Sequence, residues 1–138
     1  MKKKSCIEFY VIGIILFKFS IITFVSCDLS NDLINLSQDG THTFPNATVG
    51  YGAQTPLVVT VTTLDFSAFT MKTSISGSNA SAFNVVGGDS SLPGVVKQFT
   101  IAPVTGFTIG IYTAEVTVTV TTNSRRESKS FDVSFKVE

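Results

Sequence analysis

Beyond residue 27 this chain of 138 residues has no cysteine, one histidine and few basic residues. Each shortage excludes something. Cys6 and Cys27 both lie in the first 27 residues, so a domain built from the remainder carries no disulfide and relies on packing alone. The lone histidine, His42, falls on an expected edge strand and has no neighbouring thiol or second histidine to work with. Catalysis needs a base, a nucleophile or a metal within hydrogen-bond reach of one another. Asp65, Asp89, Glu115 and Asp132 are scattered through turns and outward faces without paired spacing. No loop has the acidic pattern of a calcium site. Gly50-Tyr51-Gly52 leads into a strand, not the helix that a phosphate-binding loop requires. No catalytic residue, metal ligand or cofactor is therefore expected. After residue 27, six Lys or Arg stand against nine Asp or Glu, a net of −3. A mildly acidic domain without a basic stripe is a poor match for nucleic acid. Helical periodicity is also missing after residue 40.

What the chain does have is alternation. In IYTAEVTVTVTT, residues 111–122, Tyr112, Ala114, Val116, Val118 and Val120 fall on one face. Thr113, Glu115, Thr117, Thr119 and Thr121 fall on the other. Period-2 patterning with β-branched side chains marks a strand, and one apolar face marks a sheet buried on one side. Six more strand signals precede and follow it, with turn residues between them. Thr41–Phe44 is stopped by Pro45, as suits an edge. Leu57 to Thr63, Phe69 to Ile75, Phe83 to Val85 and Val95 to Ala102 alternate in turn, with Lys97 on an apolar face near an exposed end. Phe131, Val133, Phe135 and Val137 form the last strand. NSRRES, residues 123–128, joins the final two as a hairpin with a basic tip. About seven antiparallel strands in this length predict an all-β sandwich. Tyr112 follows a Gly-containing loop and resembles the corner Tyr of immunoglobulin-like domains, which implies a hydrogen bond back to that loop.

The first residues read differently. MKKK is a positive start, and Phe9 to Val25 is an apolar run broken by Lys18, the pattern of a secretory signal. Phe24-Val25-Ser26-Cys27 resembles the lipobox of bacterial lipoproteins. That resemblance implies removal of residues 1–26 and acylation of Cys27, with the membrane as the partner of the lipid. Cleavage at an ordinary signal-peptidase site and retention as an uncleaved anchor are the two alternatives. Lys18 opposes the second, costing roughly 2.5–3.5 kcal/mol near a membrane centre. Residues 27–40, rich in Asn, Asp and Ser, read as the lipidated Cys and a tether, with a brief strand near Leu33–Leu36. Residues 41–138 read as the sandwich.

FPNATVGYG (44–52), PLVVTVT (56–62), ISGSNASAFNVVG (75–87), FTIAPVTGFTIGIYTAEVTVT (99–119) and SFDVSFKV (130–137) resemble the immunoglobulin-like repeats of bacterial surface proteins. The likeness spans 44–137 and departs from that pattern at Thr63-Leu64-Asp65-Phe66-Ser67. It implies an immunoglobulin-like module of the bacterial cell surface and carries no information on the ligand; a non-catalytic role in adhesion or scaffolding on the cell envelope, through a protein or glycan partner, is the expected function. Arg125 and Arg126, at the hairpin tip, are the expected contact residues. The alternative is an assembly factor resembling a periplasmic chaperone, which would offer a sheet edge to a client strand. Pro45 and Lys136 on the expected edges oppose it. Asn35-Leu36-Ser37, Asn46-Ala47-Thr48 and Asn79-Ala80-Ser81 match glycosylation sequons, but a bacterial-type leader makes these chance matches. Oligomeric state is not encoded in any of these patterns.

Overall fold

The structure, a computed structural model, describes residues 32–63 and 68–138 together with two short pieces of the first 27 residues. Those pieces are β1 (Ile7–Glu8) and β2 (Val25–Ser26), an antiparallel pair. The rest of the expected signal segment, Cys27, where lipidation is expected, and the turn at 64–67 lie outside the described residues. Met1–Asn31 and Asp32–Glu138 are separate units, and the second carries the sandwich.

Nine strands make two sheets in this second unit. They are β3 (Ile34–Leu36), β4 (Thr41–Thr43), β5 (Leu57–Thr63), β6 (Phe69–Ser76), β7 (Phe83–Val86), β8 (Ser90–Gly94), β9 (Val96–Pro103), β10 (Gly110–Thr121) and β11 (Arg126–Val137). One sheet has the order β4-β11-β10-β6-β8 and the other β3-β5-β9-β7. A 3-10 turn at Ala80–Ala82 leads into β7. All pairings are antiparallel except β4 with β11, which is parallel over Asp132–Ser134. The architecture is an immunoglobulin-like β-sandwich, as the alternation requires.

Alternation also sets the core. Ala114, Val116, Val118 and Val120 of β10 are buried, as are Phe131, Val133, Phe135 and Val137 of β11. Phe69 and Met71 of β6 extend this face in the same sheet, and Val59 and Val61 of β5, Phe83 of β7, and Phe99 and Ile101 of β9 complete the core from the other. Four phenylalanines, Phe44, Phe69, Phe99 and Phe135, are fully enclosed. Burial of such side chains contributes roughly 1.5–3 kcal/mol each, which is how a domain without disulfides holds together.

Three differences from the expected layout have physical causes. Strand β3 lies in the stretch read as a tether, and Leu33 and Ile34 are buried in the core. Asp and Asn residues around this short apolar pair mask it in composition, though a brief strand is expected there. Strand β8 lies between the strands expected at 83–85 and 95–102, where only turn residues are expected; its Pro93 and flanking glycines hide a strand that pairs with β6 through an irregular register. The last strand, expected at an edge, is interior, because β4 returns alongside it.

Lys97 faces the core side of β9 and resolves its own conflict. Its ammonium sits 5.6 Å from the centre of the Phe69 ring and donates to Ser90 Oγ at 2.7 Å. Tyr112 makes the expected corner. Its hydroxyl donates to the Thr108 carbonyl at 2.8 Å, and its ring meets Phe107 edge-on at 4.9 Å. Tyr112→Phe should lower stability by about 1 kcal/mol. Urea titration should show a lower midpoint with an unchanged slope; an unmoved midpoint would mean that this bond contributes nothing.

Candidate functional site

The sandwich has two unlike ends. Where β10 turns into β11, residues 122–125 close a tight hairpin. Thr122 organises it: the Thr122 amide donates to the Arg125 carbonyl at 2.8 Å, while Thr122 Oγ1 accepts from the Arg125 amide at 3.1 Å. This side-chain mimicry of a turn is what Ser and Thr do in loops. The register Thr121↔Arg126 sends the Arg126 side chain to the outer face, where it is exposed. Arg125 lies 3.7 Å from Glu127 Oε2.

Glu127 also takes the Leu33 amide at 2.8 Å, and Lys129 pairs with Asp32 at 3.2 Å. Strand β3 begins at this same end, since Ile34 is opposite Thr63. The first residues of the compact unit are thus stitched to the hairpin by one charge-assisted hydrogen bond and one ion pair. Sequence reasoning singles out Arg125 and Arg126 and passes over Glu127 and Lys129. Their period-2 positions put them on the apolar face of the last strand, and two charged residues there are the available signal.

The opposite end is built by residues 44–56, 77–82 and 103–110. Tyr51 anchors it: its hydroxyl donates to the Val104 carbonyl and its ring meets Phe135 edge-on at 5.1 Å. Asn79 Oδ1 accepts from the Thr113 amide at 3.4 Å, so this side chain ties the 77–82 segment to β10. Val49, Ile109 and Ile111 are largely exposed here. Lys136 donates to Glu138 at 2.6 Å, and that bond holds the Glu138 carboxyl below the usual carboxylate range. The pair is exposed and contributes little.

Between the ends, the outer face of the larger sheet is a grid of hydroxyls. Thr117 meets Ser130 at 2.9 Å and Thr119 meets Ser128 at 2.8 Å. Higher on this face Glu115 and Asp132 are direct cross-strand partners, which their scattered sequence positions conceal. Counting outward from the hairpin turn at equal steps pairs them. They border an open depression of about 500 Å³ with Thr41, Thr113 and Ser134. Its walls carry hydroxyls and two carboxylates, and no nucleophile is paired with a base there. Among the described residues no three His, Cys, Asp or Glu side chains converge as metal ligands. His42 sits on β4, its ring edge-on to Phe44 at 4.7 Å, and acts as part of the rim.

All four sheet edges are short. Strands β3 and β4 have three residues each, β7 has four, and β8 has five, one of them Pro93. Short strands and a proline offer little backbone to a client strand. The structure therefore does not favour edge donation.

No protein-family model matches the sequence, and no curated protein matches it. Solved structures do share its shape. The ASH/PapD-like domain of human CEP192 (PapD-like domain 7) aligns with a TM-score of 0.56 at 12% identity, covering 77% of this chain and 85% of that one. WR4, a C. elegans MSP family member, aligns at 0.51 and 10% identity, covering 78% and 99%. The CooA pilin subunit from enterotoxigenic Escherichia coli aligns at 0.46 and 14% identity, covering 77% and 99%. The first two share the immunoglobulin-like β-sandwich fold. At such low identity they show the fold alone.

Proposed function

We propose that this chain is a bacterial envelope lipoprotein, held to a membrane by acyl chains on Cys27 and presenting one non-catalytic immunoglobulin-like module for adhesion or scaffolding. The observation that carries this reading is a junction. A leader ending in Cys27 stands five residues ahead of Asp32, where a closed sandwich begins. Acyl chains contribute about 0.8 kcal/mol per buried methylene, so two or three hold a soluble domain to a bilayer almost permanently. No helix among the described residues is long and apolar enough to cross a membrane. The module itself offers rigid sheets and loops at its ends, the arrangement by which sandwiches bind protein or glycan partners.

Native material should partition into detergent, and its intact mass should report a diacylated or triacylated N-terminal Cys27. Cys27→Ala should release the protein from membranes or leave the leader uncut. An unmodified Cys27 in native material would refute the anchor. Any binding activity should survive metal chelation, and a turnover reaction abolished by one acidic or His substitution would overturn the non-catalytic assignment.

A further inference from the structure

The lipid anchor and the way β3 enters the sandwich together fix which end faces the membrane. The chain from Cys27 to Asp32 spans five residue steps. Fully extended, that is at most about 17 Å. Asp32 and Leu33 are bound to Lys129 and Glu127, next to the hairpin. Strand β10, running the length of the sandwich, has twelve residues, about 40 Å at the rise of a strand. A leash of about 17 Å tied to one end cannot bring the other end down to the bilayer, because the tied end would then stand about 40 Å above it. The hairpin end must stay near the surface.

That end is also where the cations are. Of the six Lys and Arg beyond residue 27, Lys72, Lys97, Arg125, Arg126 and Lys129 lie in the half of the sandwich nearer the hairpin, by their register opposite Thr119, Val61, Thr121 and Val118 or within the turn itself. Glu115, Asp132 and Glu138 lie towards the other end. Asp32 and Glu127 offset part of the basic charge, as does Asp89, whose carboxylate accepts from the Thr73 amide opposite Val118. Arg126 and Lys72 make no ion pair among the described residues; they are exposed and flank Thr119 and Thr121 on the outer face.

We propose that the hairpin end, through Arg126, Arg125 and Lys72, seats on the anionic phospholipid headgroups of the membrane that holds the acyl chains. This rests on the anchor proposed above and gives the expected contact residues Arg125 and Arg126 a definite occupant. The acyl chains already supply the affinity, so the contribution of the cations is orientation: the sandwich stands upright, with 44–56, 77–82 and 103–110 pointing away from the bilayer. Each Lys or Arg close to an anionic surface strengthens binding about fivefold.

The full chain, expressed in a bacterium that processes lipoproteins, is reconstituted into vesicles rich in phosphatidylglycerol, with a headgroup-attached quencher. Single thiols at Ser124→Cys and Ser78→Cys, both exposed positions at opposite ends, carry the same dye. Quenching at position 124 should exceed that at 78 severalfold. It should fall at least about fivefold with R125Q/R126Q, in about 1 M salt, where screening shortens to about 3 Å, and on phosphatidylcholine vesicles. Free inorganic phosphate at matched ionic strength should not displace it. Equal or stronger quenching at 78, or indifference to R125Q/R126Q, would overturn the seating, and a protein partner that protects position 124 in the absence of vesicles would do the same. Intact mass of the same sample reads Cys27 separately, so an unacylated Cys27 refutes the anchor without being mistaken for a failed seating.

Discussion

Val116→Asp should unfold the sandwich, and Thr119→Asp should leave it folded. Val116 is fully buried on β10, opposite Phe131 on one side and Ile75 on the other. A carboxylate there has no partner, and burying an unpaired charge costs several kcal/mol. Domains of this size are stable by only about 5–15 kcal/mol, so one such change consumes most or all of it. Thr119 points outward, opposite Lys72 and Ser128. An aspartate there loses the Ser128 hydroxyl contact and gains a cation across the strand, a near balance of less than about 1 kcal/mol. Val118 is as buried as Val116 but makes a poorer test, because Lys129 lies directly opposite and can meet a new carboxylate. Circular dichroism and urea titration of the full chain decide the matter. Equal costs, or the reverse order, would mean that the two faces of β10 are assigned the wrong way round.

That test works because the alternation in β10 is legible without coordinates. The same holds for β5, β6, β9 and the second half of β11, whose buried residues are the ones period 2 selects. Two-sided patterning is a strong signal because a one-residue slip would turn every valine to water. Short strands are less legible, since three residues cannot display a period. Ile34–Leu36 is the example: its place in the sheet is set by Thr63, Thr62 and Val61 on another strand, not by its own pattern. The first half of β11, Arg126 to Ser130, is all polar or charged, and by composition it reads as a turn. It is held as strand by twelve residues of register with β10 and by hydroxyl pairs across the outer face.

The charged surfaces are legible in part for a related reason. Arg125 and Arg126 stand out because charge at a turn shows in one dimension. Glu127 binding Leu33, and Glu115 meeting Asp132, are cross-strand or cross-sheet facts. Their meaning depends on which end of the sandwich the chain enters, and topology alone decides that. The tether illustrates the consequence. A tether of 27–40 would let the domain drift and tumble; with Leu33 and Ile34 in the core, only five steps of chain remain between Cys27 and the sandwich.

Phe135→Ala should be the most damaging truncation at the end away from the hairpin. The ring is fully buried on β11, opposite Tyr112, and meets the Tyr51 ring edge-on at 5.1 Å. Removing a buried phenylalanine ring costs about 3–5 kcal/mol, part of it from the cavity that close-packed neighbours cannot fill. Here the loss spreads through named contacts. Tyr51 loses the face it packs on, and its hydroxyl is what holds the Val104 carbonyl. The 103–110 segment then keeps the Tyr112 corner and the Val104 amide bond to the Ala82 carbonyl to position it. Phe135→Leu preserves most of the volume and should cost less than half as much. Urea titration should rank wild type above Phe135→Leu above Phe135→Ala, with Tyr51→Phe adding less in the Phe135→Ala background than alone, because residues in contact are not additive. Hydrogen exchange should quicken at 104–110 while β10 near Val120 stays protected. A cost below about 1 kcal/mol for Phe135→Ala, or uniform exchange across both ends, would show that Phe135 is not the support of that end.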